Sequence, residues 1–181
     1  MPKFLCLLRG INVSGQKLIK MAELKELLNY EGYKNVQTYI QSGNIILDSI
    51  LHTKEEQSTA VEKLLKEKYG WDIPCIVLEE ADLKEILELN PYKNISTKKA
   101  TLPYVCLPKG ELTEIEKNLL NELNFDGEHF TTTTKAIYLY SILELNKSKL
   151  SNNFFEKKLK RSCTSRNWRT LNKLNDIIGS T

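Results

Sequence analysis

Arg9, Gly10 and Asn12 follow directly on an apolar run, FLCLL (4–8), and Gln41, Ser42, Gly43 and Asn44 interrupt another, TYIQSGNIIL (38–47). Together they offer a guanidinium, backbone N–H groups bared at two glycines, side-chain amides and a hydroxyl. Such a set suits an anion, because Arg engages phosphate or carboxylate in a bidentate way and N–H groups complete a nest. It contains no carboxylate and no histidine, so it is poorly equipped for general acid–base catalysis. The plainer alternative is that Arg9 pairs with an acid of its own domain while the glycines and asparagines serve turns.

A third polar stretch, CTSRNWRTLNKL (163–174), lies near the C-terminus. Thr164 or Ser165 is placed to cap a helix whose first turn holds Arg166, Asn167, Trp168 and Arg169, and helix N-termini attract anions. Trp168, Leu171, Leu174 and Ile178 form an apolar stripe, which makes Trp168 a core residue or a stacking platform. Cys163, flanked by Lys160, Arg161 and Arg166, is the one cysteine whose setting favours a depressed pKa. The other three, Cys6, Cys75 and Cys106, sit in apolar runs and read as reduced, buried hydrophobes.

No nucleophile–base pair, paired carboxylate motif, P-loop or metal-ligand cluster is present, and no cofactor is implied. An enzyme would need distant groups such as Asp48, His129 or Glu144 to converge. Catalytic residues are therefore unassigned.

Positioning these residues takes a defined set of elements. A strand is expected at 3–9, a helix at 20–31, strands at 36–41 and 44–48 around a two-residue turn at Ser42–Gly43, a helix opened by the Thr53/Glu56 capping box, and a strand ending near Leu78. That is βαββαβ, the ferredoxin-like order. A helix at 80–89 and a loop to Ala100 lead to a second series. It comprises the strand LPYVCLP, a helix boxed by Thr113 and Glu116, strands EHFTT and AIYLY, and helices at 152–161 and 167–178. The fold class is thus α+β. Two tandem ferredoxin-like subdomains (1–79 and 80–181) with antiparallel sheets are expected, the second lacking its last strand and ending in basic helices. Arg9-Gly10 and Lys109-Gly110 end equivalent strands, which points to an internal duplication.

In such a sheet the first and second strands run parallel with the third between them. The end of strand one and the hairpin turn should then be neighbours, so Arg9–Asn12 and Gln41–Asn44 are expected to share one edge. The connection from Gly10 to Ile19 is also longer than the usual 2–6 residues or so, a feature of functional loops. The C-terminal helix is expected to dock between the subdomains and carry Arg166 towards that edge.

Composition narrows the class. A chain of 181 residues, 41% hydrophobic and 27% charged, is that of a globular protein. No apolar run approaches the roughly 20 residues that span a bilayer, and MPKFLCLLRG lacks a signal-peptide cleavage site. A cytoplasmic protein with no membrane partner is expected. The net charge of +3 is uneven: residues 149–181 hold eight Lys and Arg against Glu156 and Asp176. A basic end suits an anionic partner, or is simply a solvated helix.

With these blocks assembled, the chain resembles a bacterial family of uncharacterised proteins, domain of unknown function 1697. Members carry blocks like LLRGINVGG, TYIQSGNVVF and TxRNWxT, here LLRGINVSG (7–15), TYIQSGNIIL (38–47) and TSRNWRT (164–170). Ser14 stands where the family has Gly, and Cys163 where members often have a small residue, which argues against an essential thiol. The resemblance implies two ferredoxin-like subdomains and no known activity. It places the family blocks on Arg9, Gly10, Asn12, Gln41, Ser42, Gly43, Asn44, Arg166, Asn167 and Trp168. Three functions follow: binding of a small phosphate- or carboxylate-bearing ligand, RNA or DNA binding, or an enzyme acting on such an anion. RNA-recognition sheets need aromatics on strands one and three, and here those strands read FLCLL and NIIL, with only aliphatics on strand three. Oligomeric state is left open.

Overall fold

The run FLCLL becomes the centre of a sheet because all its side chains are apolar and both strand faces can be buried. In the computed structural model, strand β1 (Lys3–Leu8) pairs antiparallel with β3 (Asn44–Asp48) on one side and β4 (Cys75–Leu78) on the other, and β2 (Lys34–Tyr39) pairs with β3. The order is β2-β3-β1-β4. Helices α1 (Met21–Tyr30) and α2 (Lys54–Tyr69) set Leu24, Leu28, Val61 and Leu65 against Phe4, Cys6, Ile45, Leu47 and Cys75 in one core. Each such side chain contributes about 1.5–3 kcal/mol when fully buried. The Thr53/Glu56 capping box forms as expected at the start of α2, and Gly70 closes the helix in the left-handed conformation.

The structure describes residues 1–95, 104–141 and 148–180. They fall into two compact units, residues 1–81 with 176–181, and residues 82–175. Ala100 and Glu144 lie outside the described residues. Among the described residues no helix is long and apolar enough to cross a membrane.

In the second unit, β5 (Tyr104–Pro108) is followed by α4 (Glu114–Asn121), β6 (Glu128–Thr132), β7 (Ile137–Ser141) and α5 (Asn152–Leu159), with α3 (Glu80–Glu88) preceding them. Thr113 and Glu116 form the second expected capping box. The sequence reading left this unit without a fourth strand, and that is corrected. Residues Cys163–Asn167 are strand β8, paired antiparallel with β5 from Tyr104↔Asn167 to Pro108↔Cys163. The sheet order is β6-β7-β5-β8, matching position for position that of the first unit.

The helix α6 (Trp168–Gly179) begins only after β8. Polar CTSRN shows no apolar alternation, and its polarity is satisfied locally: Ser165 Oγ bonds Asn152 Oδ1 at 2.6 Å and Glu156 accepts from the Cys163 N–H at 3.0 Å.

Candidate functional site

The two strand ends meet in the first unit. The Leu8 N–H donates to Gly43 O at 2.8 Å, which fixes the end of β1 against the hairpin turn. Asn12 completes the join: its Nδ2 donates to Gln41 O at 2.8 Å and to Ile19 O at 2.9 Å, while its Oδ1 accepts from the Ile19 N–H at 2.8 Å. One side chain thus closes the long loop on itself and pins it to the turn. Asn12 adopts φ +54°, a conformation that asparagine tolerates better than most residues.

The turn itself is longer than expected. Tyr39 pairs with Asn44, so four residues, Ile40 to Gly43, make the reversal. Asn44 is fully buried, and its Nδ2 donates to Tyr39 O at 2.9 Å and Ser42 Oγ at 3.0 Å. Ile40 at φ +48° and Gly43 at φ +76° supply the left-handed steps.

Around this join lies the loop of residues 10–19, which folds into a small hairpin closed by Asn12 N to Lys17 O (3.2 Å) and Gln16 N to Val13 O (3.0 Å). Ser14 sits at φ +50° and Gly15 at φ +75°. The serine therefore holds a backbone conformation that glycine would take at lower cost. Arg9 is half-buried, with its N–H on Pro74 O at 2.9 Å. Lys17 Nζ donates to Asp72 O at 2.7 Å, and Lys66 beside Asp72 holds that carboxyl below the usual range.

Of the residues singled out by sequence, Arg9, Gly10, Asn12, Gln41, Ser42, Gly43 and Asn44 share this edge. Asn12, Gly43 and Asn44 spend polar groups on holding it together, with the Gln41 carbonyl and the Ser42 hydroxyl as acceptors, and Arg9, Gly10, Gln41 and Ser42 border its surface, Gln41 exposed and the others half-exposed. Sequence reasoning missed Lys17 and Ile40. Lys17 lies in a polar loop where nothing marks one cation out, and Ile40 reads as one more strand residue.

Arg166, Asn167 and Trp168 belong to the second unit, and the expected helix start there is corrected. Arg166 is a strand residue, only 6% exposed, whose Nη1 donates to Thr164 Oγ1 at 2.8 Å and Ser165 O at 3.0 Å. Asn167 caps α6 instead, its Oδ1 accepting from the Thr170 N–H at 2.7 Å. That bond occupies a helix N-terminal donor that an anion would otherwise use. Trp168 is half-buried, while Leu171, Leu174 and Ile178 of the expected stripe are fully buried. Both grounds for carrying Arg166 to the strand-end edge, a helix N-terminus and an empty strand position, therefore fall.

Cys163 is buried, with its thiol donating to Arg161 O at 3.7 Å. Its hydrogen bond to Cys106, together with burial, pushes the Cys106 thiol well up. Neither is a reactive setting.

Other cations of the second unit are engaged. Lys135, in the hairpin turn, pairs with Asp82 at 2.8 Å and Glu85 at 2.6 Å, and those carboxylates hold it well above the usual lysine range. Arg161 pairs with Glu116 and donates to Glu111 O. On β6 and β7, His129 stacks on Tyr140 with centroids 5.8 Å apart, and Tyr92 lies 5.8 Å from Tyr140 on a tilt. Asp48 accepts from Asn35 at 2.7 Å. Among the described residues no group of three or more His, Cys, Asp or Glu is arranged to hold a metal.

Comparison with known proteins bears on the family and the fold. Residues 1–138 match a family model described as a protein of unknown function (DUF1697). No curated protein matches the chain. A solved structure described as a conserved bacterial protein from Streptococcus pneumoniae is similar over 98% of this chain and 98% of that one, with a TM-score of 0.77 at 24% identity, a likeness of fold.

Proposed function

The chain belongs to the DUF1697 family, and on that premise we propose that it binds a small phosphate- or carboxylate-bearing ligand at the strand-end edge of the first unit. The observation that carries this reading is the join itself. Arg9 and Gly10 are held against Gln41–Gly43 by the Leu8–Gly43 and Asn12–Gln41 hydrogen bonds. Residues 9–20 and 39–44 contain no Asp or Glu. A guanidinium beside backbone N–H groups in left-handed turns is the arrangement that receives oxyanions. Arg9, Gly10, Gln41 and Ser42 are the ligand-facing groups, with Lys17 beside them; Asn12, Gly43 and Asn44 position them. Binding is preferred to catalysis because none of Arg9, Gly10, Gln41 and Ser42 is suited to general acid–base work.

The same reading takes the two units as ferredoxin-like copies of one βαββαβ unit in a cytoplasmic protein. Support comes from their common strand order and from equivalent bonds at the ends of their first strands, Arg9 N to Pro74 O and Lys109 N to Ser162 O, each 2.9 Å. RNA or DNA binding is a second reading, favoured by the Tyr92–Tyr140–His129 rings, since bases stack on such surfaces.

A thermal-shift series separates these. Inorganic phosphate, sulfate and nucleotides should raise the melting temperature through linkage, and Arg9→Ala should remove the response. A series with no shift for any anion, or an unchanged response in Arg9→Ala, defeats the proposal. A shift seen only with a single-stranded oligonucleotide, and lost in His129→Ala, favours the second reading.

A further inference from the structure

The four cysteines fall into two pairs at matching places in the two sheets. In the second unit Cys106 faces Ser165 and Pro108 faces Cys163 across β5 and β8. Residues two apart on a strand share a face, so the two thiols are diagonal neighbours, and both belong to the same buried core. In the first unit Cys6 faces Val77 and Leu8 faces Cys75 across β1 and β4. That is the same diagonal, again on the core side of the sheet.

Cys106 and Cys163 are also in contact, as their hydrogen bond shows, and both are fully buried. Asn152 Oδ1 lies 3.8 Å from Cys106 Sγ, and Arg161 O lies 3.7 Å from Cys163 Sγ. Glu156 accepts from the Cys163 N–H at 3.0 Å, and its negative charge also reaches Cys106, where the Ser165 hydroxyl works the other way.

Spacing and charge decide what two such thiols can hold. Diagonal neighbours in an antiparallel pair stand about 7–8 Å apart, beyond the roughly 6.8 Å between Cα atoms that a disulfide tolerates. A metal ion between two thiolates sets the sulfurs roughly 4.6 Å apart, twice a zinc–sulfur bond, against about 2 Å in a disulfide. The diagonal suits the longer bridge. Zinc takes four ligands, and among the described residues no third His, Cys, Asp or Glu joins the pair. That leaves a soft ion with a filled d shell, satisfied by two thiolates in line. Two thiolates cancel a divalent charge, whereas a monovalent ion would leave a buried negative charge beside Glu156.

We propose that Cys106 and Cys163 form a two-thiolate site for a soft divalent cation of the mercuric type. One mercuric ion and two thiols give a neutral dithiolate and two protons, with no change of oxidation state. Strand β8 ends its sheet, so local opening there admits the ion. The site lies in the second unit and does not depend on the anion-binding reading.

Mercuric chloride added to the full chain in excess glutathione, then gel filtration and a count of mercury per chain, tests this. A single thiol yields its mercury to glutathione, while a preorganised pair keeps it. The native protein should keep at least one ion, and Cys163→Ala and Cys106→Ala should each keep one fewer. Hydrogen exchange locates the ion: amides of β5 and β8 should slow about tenfold or more when mercury binds, and Cys163→Ala should lose that slowing. Cys163→Ser keeps the side-chain volume and removes the thiolate. Loss of the ion in both Cys163 variants, with exchange in β6 and β7 as in the native chain, assigns the loss to the thiol and not to the fold. No mercury kept by the native chain, an equal count in the variants, or slowing confined to β1 and β4 overturns the site.

Discussion

At Gly43 the hairpin turn passes so close to β1 that a Cβ would lie 2.7 Å from Leu8 Cβ and 2.8 Å from Ile11 Cδ1. Its φ of +76° adds a left-handed penalty of about 1–2 kcal/mol for any residue with a Cβ. Overpacking a buried contact costs about 1–3 kcal/mol more. Gly43→Ala should therefore lose about 2–5 kcal/mol, read as a lower urea midpoint, and an unchanged midpoint would show that the turn can move away from β1. This residue also marks what sequence could tell. That Arg9–Asn12 and Gln41–Asn44 share an edge follows from strand order. Which of them hold the edge and which face outward does not, because asparagine and glycine suit both tasks. Only the geometry makes Asn12 a staple, with three bonds to the loop and turn.

Elements with an apolar signature were legible, and those held by polar contacts were not. Both capping boxes stand out because their end residues agree with the helices they open, whereas in α4 the apolar Ile115 and Leu119 are 81% and 44% exposed. Strand β8 escaped because its sequence is polar and its stability is lent by Asn152 and Glu156 of α5. The turn lengths escaped because Ile40 gives no sign of a left-handed backbone. A second consequence of polar stitching is sensitivity to pH at the start of α4. Backbone N–H donation from Thr113, aided by hydrogen bonds from Arg161 and the Thr113 hydroxyl, holds the Glu116 carboxyl below the usual range. A carboxyl depressed in the folded state stabilises above its unfolded value, about 4.3 for glutamate, and that contribution fades as pH falls through the lower folded value. Glu116→Gln should lower stability at neutral pH by about 1 kcal/mol. It should also flatten the acid limb of a plot of urea midpoint against pH. Parallel curves for the two proteins would rule out this role.

The whole chain is not a simple succession of two pieces, because residues 176–181 group with the first unit although the second unit precedes them. Ile178 is fully buried, and its carbonyl accepts from Lys3 Nζ at 3.1 Å. The end of α6 thus completes the unit that contains the candidate edge, and a fragment ending at residue 79 would lack it. Burying one isoleucine contributes about 1.5–3 kcal/mol, and a hydrogen bond to a charged donor about 1.5 kcal/mol or more. Ending the chain after Asn175 should therefore cost about 3–4.5 kcal/mol. Hydrogen exchange locates the loss. Amides of β1 and β3 should exchange faster in the shortened chain, while those of β6 and β7, in the other unit, should change less. Uniform loss of protection would mean that the two units unfold together, and no loss would mean that the last turn of α6 is dispensable. Either outcome bears on function, since the Arg9 edge extends from β1, whose first residue holds Ile178. If the shortened chain exchanges fast in β1 and also loses its thermal response to phosphate, the C-terminus supports the anion site through the fold alone, without touching the ligand.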